Sequence, residues 1–440
     1  MIEFTVNLLK TFIYMMFFPS TLHMSRPSTS RFAVKCGLLL DGTGKNPLND
    51  VFLVVNNGVI ESISKTVDPS LEVLDAGNYT VMPGLIDAHL HLAGHLTDKF
   101  VEESIVTPYE IHLIKALYDI QDLLSAGYTT VRDCGSLQGP YLKMAVESGL
   151  TKGPRIVTAG RVLTQTFGHG DEHYFPVEIV KLRSDYKLGF GGILCDGVEE
   201  CIKAARTVLR EGADFIKICS TGGVMSQRDK PEDEQFTVEE IRAIVNEAKK
   251  VRTFVASHAQ GAKGIKNALV AGVRTIEHGI YLDDEGAKMM IEQDAIMVPT
   301  LSIVHQLVSK GREAGTPEWG LKKSLEVIDT HVKNVRKAKE MGVKVATGTD
   351  FIGSPMLKFG NNAMELQLLV EKCGFAPMEA IVAATKNGAD ACGLSSKTGT
   401  LEVGKLADMI AVQGNPLDDI SLLQKKENIK FVMKGGVIYA

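Results

Sequence analysis

"GLIDAHLHL", residues 84–92, is apolar as far as Ile86 and then carries two histidines, His89 and His91, one residue apart. Alternate side chains of an extended strand share a face, so both imidazoles point the same way. Two nitrogen donors aimed at one spot suit a divalent metal ion. An HxH pair also occurs as a purely structural feature of an apolar strand. The rest of the chain must therefore supply further donors if this is a site.

The segment opens a long alternating region. Eight short apolar runs stand out: Val81–His89, Thr129–Asp133, Arg155–Gly160, Asp214–Thr221, Thr253–Ala259, Arg274–Gly279, Ala295–Thr300 and Lys344–Asp350. Between them the apolar period lengthens to that of helices. Leu113, Leu117, Ile120 and Leu124 lie on one helical face, with Gly127 at the expected C-terminus. Thr237 and Glu240 make a capping-box pattern ahead of Ile241, Ile244, Val245 and Ala248. Pro377 suits a first helical turn, and 303–341 reads as helical. Strand–helix units repeated eight times predict a (β/α)8 TIM barrel over 81–392. An open doubly wound sheet is the alternative, weakened by the lack of a GxGxxG or P-loop motif.

Both ends have a different texture. Residues 33–80 and 393–440 are apolar runs cut by Gly-rich turns, among them Asn57-Gly58. They are expected to form one small β-sandwich domain. Residues 1–32 are expected to be an extension, disordered or wrongly annotated, with Met24 as one candidate start. Its apolar run "TFIYMMFF" is too short to span a bilayer; a weak signal-like segment, which would leave secretion open, is the alternative, although no A-x-A-like cleavage site follows it.

With 45% hydrophobic and 23% charged residues, the chain has the make-up of a soluble globular protein. A net charge of −5 and the lack of a basic stripe argue against nucleic-acid and membrane partners. Seven scattered cysteines without CxxC spacing favour reduced thiols and a cytoplasmic setting.

In a barrel of this kind, functional residues sit at the C-terminal strand ends. Those ends supply His89, His91, Asp133, Lys217, His258, His278 and Asp350. The first two suit one metal ion, and His258 with His278 a second. Asp350 offers an anionic ligand and a proton acceptor. A bare ammonium at Lys217 would be repelled by such ions. As a carbamate, formed with carbon dioxide, it becomes an anion able to bridge two metals. A lone lysine in a strand more often snorkels to water, and a lone terminal histidine is more often just a satisfied polar group. The convergence of the set is what favours a metal centre. Asp133 is read as a support of the barrel mouth.

These segments carry a family resemblance. "VMPGLIDAHLH", "FIKICSTGGVMS", "ASHAQG", "IEHG", "GTD" and "GTLEVGKLADMIAV" resemble the metal-dependent amidohydrolase superfamily, from about Val34 to the end. "TQTFGHGD", "LCDGVEE" and "STGGVMSQRD" resemble its branch of prolidase-like carboxypeptidases and fungal ochratoxinase. The resemblance implies two divalent ions, usually zinc, although such ligands suit manganese or cobalt too. It implies that His89, His91 and Asp350 hold the more buried ion, that His258 and His278 hold the other, and that carbamylated Lys217 bridges them. It further implies a homo-oligomer. The chain departs from the branch at Gln260, where a second histidine is common. An amide donates a hydrogen bond but does not titrate.

The implied reaction is hydrolysis of the amide of an N-acyl amino acid or dipeptide, with an ochratoxin-type amide as a special case. Asp350 would move the proton. His169 and Arg228 are candidates to pair with a substrate carboxylate, and Gly222 and Gly223 to bring backbone N–H groups close to it. A solvated loop is the alternative for these four. Other outcomes are an imidazolonepropionase- or deaminase-like reaction on a cyclic amide, lactone or exocyclic amine, which Lys217 disfavours, and a non-catalytic scaffold. His95, His112, His173, His305 and His331 carry no assigned role.

Overall fold

The structure, a computed structural model, describes residues 29–186, 188 and 192–439. The signal-like run and Met24 lie outside the described residues.

The alternating region folds as expected into parallel strands with helices between them. Three strands, Leu85–Leu90, Tyr128–Asp133 and Arg155–Thr158, form one parallel ladder. A second, seven-stranded ladder contains Ile216–Cys219, Val255–Ala259, Thr275–His278, Ile296–Val298 and Lys344–Val345 in sequence order. It also holds two very short strands, Leu163–Thr164 and Ile193–Leu194, which the sequence reading did not anticipate. The ladders are separate sheets joined by hydrogen bonds at both ends. The Asp214 N–H donates to the Thr158 carbonyl at 2.7 Å, and the Thr349 and Asp350 N–H groups donate to the His89 carbonyl at 2.9 and 2.7 Å. The arrangement is TIM-barrel-like. Its interior is packed with Ile86, Ala88, Val157, Phe215, Ala256, Ile296, Val298 and Ala346.

The helices start and stop where their residues dictate. Thr237 and Glu240 form the reciprocal capping box ahead of the helix Val238–Lys250. Pro377 opens the helix Pro377–Ala383. The segment 303–341 is two helices, Leu301–Ala314 and Glu318–Met341, parted at Gly315 and Pro317. Gly315 takes the left-handed conformation there, and Pro317 stands just ahead of the second helix.

The terminal segments do come together, through hydrogen bonds that link all their strands. Their hydrogen bonding makes one continuous seven-stranded sheet of strands from both termini. The reason is the strand Val73–Pro83. It pairs in parallel with Arg31–Leu39 on one side and antiparallel with Met409–Val412 on the other, joining the two ends of the chain edge to edge. The apolar run expected to start the barrel at Val81 is thus shared. Val81 to Pro83 belong to the terminal sheet, and the barrel strand begins at Leu85. The Asn57-Gly58 turn has both residues at positive φ, 49° and 79°, as a tight hairpin requires.

Candidate metal centre

The C-terminal ends of the parallel strands open onto a cavity of about 300 Å3. His89, His91, Lys217, His258, His278 and Asp350 all line it, and so does His169. Residues spread over the strand region thus share one wall.

Local backbone explains how each side chain reaches that wall. Asp87 and His89 lie two apart on the first strand and His91 follows just past its end. Asp87 is buried and accepts from the Thr349 hydroxyl at 2.7 Å, the Asn362 amide at 2.7 Å and the His89 N–H at 3.0 Å. It ties the first strand to the "GTD" turn. Gly348 permits that approach, because a Cβ there would lie 2.8 Å from the His89 nitrogen and 2.5 Å from Val298. His278 and Asp350 have positive φ, 69° and 60°, strained for residues with a Cβ. Each ends a run by breaking the strand alternation, and each lines the cavity.

The donors are close together. Asp350 Oδ1 lies 3.0 Å from His91 Nε2 and 3.4 Å from His89 Nε2. Lys217 Nζ is 3.5 Å from His89 Nε2. One ligand atom from each of His89, His278 and Asp350 falls within 4.8 Å of the others. The His258 ring is centred 4.5 Å from that of His278.

Each of the four histidines has one ring nitrogen tied to a group outside the cluster. His89 Nδ1 meets Glu277 at 2.6 Å, His91 Nδ1 the Gly135 carbonyl at 2.7 Å, His278 Nδ1 the Thr300 hydroxyl at 2.7 Å, and His258 Nε2 the Gly222 carbonyl at 3.0 Å. The second nitrogen of each ring is left for the centre. This is the pattern of metal-binding imidazoles, whose outer partners set tautomer and ring orientation. Burial holds His258 and His278 well below the usual histidine range, so both are neutral donors. Burial opposes ionisation of Asp350, yet His89 and His91 hold its carboxyl well below the usual carboxylate range. Two neutral imidazoles, His258 and His278, beside an anionic oxygen offer donors that fit a divalent ion.

The sequence reading missed the groups behind these candidate donors. Arg132 is fully buried and donates from Nη2 to both Glu277 oxygens, at 2.7 and 2.9 Å. Its other donors reach the Ala88 carbonyl, the Thr275 hydroxyl and the Ala391 carbonyl. Burial opposes the charge on Glu277, but Arg132 and His89 hold its carboxyl below the usual range. An arginine in the apolar run "TTVRD" and a glutamate in "TIEHG" were the available signals.

Asp133 accepts from the Leu92 N–H and from the hydroxyls of Ser136 and Thr158, so its lone pairs hold up the mouth. His169 stacks on His258, with ring centres 3.9 Å apart, and bonds Ser226 at 2.8 Å. The other residues expected at the substrate are placed differently. Arg228 is exposed and is not among the cavity-lining residues. In its loop the buried acid is Asp229, bound to Ser226 and Gln235. The Gly222 N–H is already given to the Asp233 carbonyl at 2.9 Å. Gly223 is required for another reason: a Cβ there would lie 2.3 Å from the His169 ring. Neither glycine lines the cavity, and neither does the buried Gln260, whose N–H donates to Thr221 and whose side-chain oxygen has no partner.

A barrel-like parallel fold with histidines, a lysine and an aspartate at the strand ends is the arrangement expected of a metal-dependent hydrolase. Comparison with known proteins gives the family. Residues 80–439 match the amidohydrolase family model. The chain is 34% identical to ochratoxinase of Aspergillus niger over 424 residues, covering 92% of this chain and 86% of that protein. The crystal structure of A. niger ochratoxinase superposes with a TM-score of 0.86 at 32% identity, covering 93% of this chain and 95% of that one. A Xaa-Pro dipeptidase solved with methionine bound in its active site gives 0.83 at 35% identity, covering 93% and 100%. The chain belongs to the amidohydrolase family, in the branch of ochratoxinase and the prolidase-like enzymes. It is a hydrolase acting on carbon–nitrogen bonds.

Proposed function

We propose that this enzyme hydrolyses the amide bond of an N-acyl amino acid or dipeptide and releases the C-terminal amino acid. The observation that carries the reading is the set of four histidines, each with one ring nitrogen anchored outside the centre, gathered with Lys217 and Asp350 on one cavity wall. The relatives named for ochratoxin and Xaa-Pro dipeptides support an amide of an amino acid.

His89, His91 and Asp350 would hold one divalent ion and His258 and His278 the other, both zinc, with Lys217 between them as its carbamate. Two such ions lower the pKa of water to about 7 and polarise a carbonyl. The protein supplies the rest. Asp350 sits against two imidazoles, placed to take a proton from the attacking water and deliver it to the leaving nitrogen. His169, stacked on His258 at the cavity edge, positions the amino-acid end. Phe100, Val101, Leu137, Ile303, Leu307 and Met356 give the remaining wall an apolar surface suited to a bulky acyl group.

The test counts metal per purified chain by mass spectrometry, for the wild type and Lys217→Ala, and follows free amino acid released from a panel of N-acyl amino acids and dipeptides. The expected result is about two ions in the wild type, fewer in the variant, and release by the wild type. A chain that holds no metal and releases no amino acid overturns the reading. Asp350→Asn should lower turnover by roughly 100-fold or more with less change in substrate binding, the usual scale for removing a general acid–base. Unchanged turnover would remove Asp350 from that role.

A further inference from the structure

Three residues without a role in the site above meet beside the same cavity. His95 follows the first barrel strand, Glu103 lies in the helix Phe100–Val106, and His112 in the helix Tyr109–Ser125. All are buried, with 4%, 5% and 7% of their surface exposed. One ligand atom from each lies within 4.8 Å of those of the other two.

The hydrogen bonds of His112 and Glu103 leave metal-binding capacity unused. His112 Nδ1 donates to the Gly94 carbonyl at 3.0 Å, so in the neutral ring Nε2 carries a lone pair. That Nε2 is buried without a partner. Glu103 Oε2 accepts from the Thr97 N–H and hydroxyl at 2.8 and 2.7 Å. Among the described residues, Oε1 accepts from the Leu96 N–H at 2.6 Å and sits 3.6 Å from His112 Nδ1, on the same ring as the unpartnered Nε2. His95 Nδ1 is 3.9 Å from Oε2. Burial works against the charge on Glu103, but the Leu96 and Thr97 donors hold its carboxyl below the usual range. Two imidazoles and a carboxylate form the three-ligand set of an open zinc site, and the Gly94 carbonyl is the outer partner such an imidazole takes.

We propose that His95, Glu103 and His112 form a further divalent-cation site of zinc type, separate from the centre at the strand ends. Bonds of roughly 2.0–2.1 Å would draw the three ligand atoms closer together than they stand here. A fourth position would be left for water. Because His95, Phe100, Val101, Tyr109 and His112 line the cavity, the cation would clamp the loop and two helices that shape this wall. The inference does not rest on the proposed amide hydrolysis.

The full-length chain is freed of loosely bound metal, titrated with zinc and counted by mass spectrometry. Zinc-soaked crystals are measured at the zinc absorption edge. The expected result is one equivalent beyond those at the strand ends and an anomalous peak among the three residues. His112→Ala and Glu103→Gln should each lose that equivalent while keeping the others. No peak among them in the wild type, or an extra equivalent that survives both substitutions, overturns the proposal. If either variant fails to fold, wild-type diffraction decides alone. Failure of the proposed amide hydrolysis would leave this peak in place, so the two ideas fail separately.

Discussion

Arg132 shows how far a candidate donor depends on residues that never reach the cavity. Its guanidinium is buried against Glu277, and Glu277 holds the ring of His89. Removing one partner of a buried ion pair leaves the other charge uncompensated and costs about 3–5 kcal/mol. Arg132→Met should therefore lower unfolding stability by about that amount in urea titrations, and metal at the strand ends should bind more weakly. Adding Glu277→Gln to Arg132→Met should recover part of the stability, because the stranded charge is gone. A loss under about 1 kcal/mol for the single variant would mean that the pair contributes little beyond a neutral substitute. Asp350 and His278 make a related point: both sit at positive φ, a local cost accepted where the side chain must turn toward the site.

At the scale of elements, the helix Leu301–Ala314 begins without a side-chain cap of its own. Glu365, from the helix Met364–Cys373, supplies one by accepting from the Leu301 and Ser302 N–H groups at 2.9 and 2.8 Å and from the Ser302 hydroxyl. The residue just ahead of that helix is Thr300, whose hydroxyl holds His278, so the cap and the site adjoin. Burial pushes the Glu365 carboxyl up to about 7 from 4.5, with the three donors pulling the other way. The folded state then binds a proton that the unfolded chain releases. Its contribution to stability is full below pH 4.5 and is lost as pH rises toward about 7. Glu365→Gln should remove that fall, a difference on the order of a few kcal/mol across the window. Denaturation of both proteins at pH 4.5, 5.5 and 7 checks it. Parallel pH profiles would show that Glu365 does not titrate there.

For the whole molecule, the donors at the strand ends come from Leu85–Leu90, Ile216–Cys219, Val255–Ala259, Thr275–His278 and the turn after Lys344–Val345. An ion held by all of them cross-links much of the parallel-strand region, and binding to the folded state alone stabilises it by mass action. Stripping the protein with a chelator should lower its melting temperature, and adding zinc should restore it. His258→Ala should show a smaller difference between stripped and loaded protein. Equal melting in both wild-type forms would sever metal binding from stability. The described residues include no helix long and apolar enough to cross a membrane. The alternation of apolar runs with helical periods, the capping box at Thr237 and the strand-end position of each donor are local properties, legible in the sequence because strand and helix periods are written over a few residues. The family, too, was legible in its short motifs. The single terminal sheet was not, because it depends on Val73–Pro83 pairing with strands from both ends of the chain. Nor was the support of the site, since Arg132 and His89 lie 145 and 188 residues from Glu277. The placement of Arg228 outside the cavity, with Asp229 turned inward, likewise rests on how one loop packs. Periodicity and residue chemistry settled which groups stand at the strand ends. Only the packed tertiary structure decided which of them touch, because contact between residues so far apart depends on how the whole chain folds.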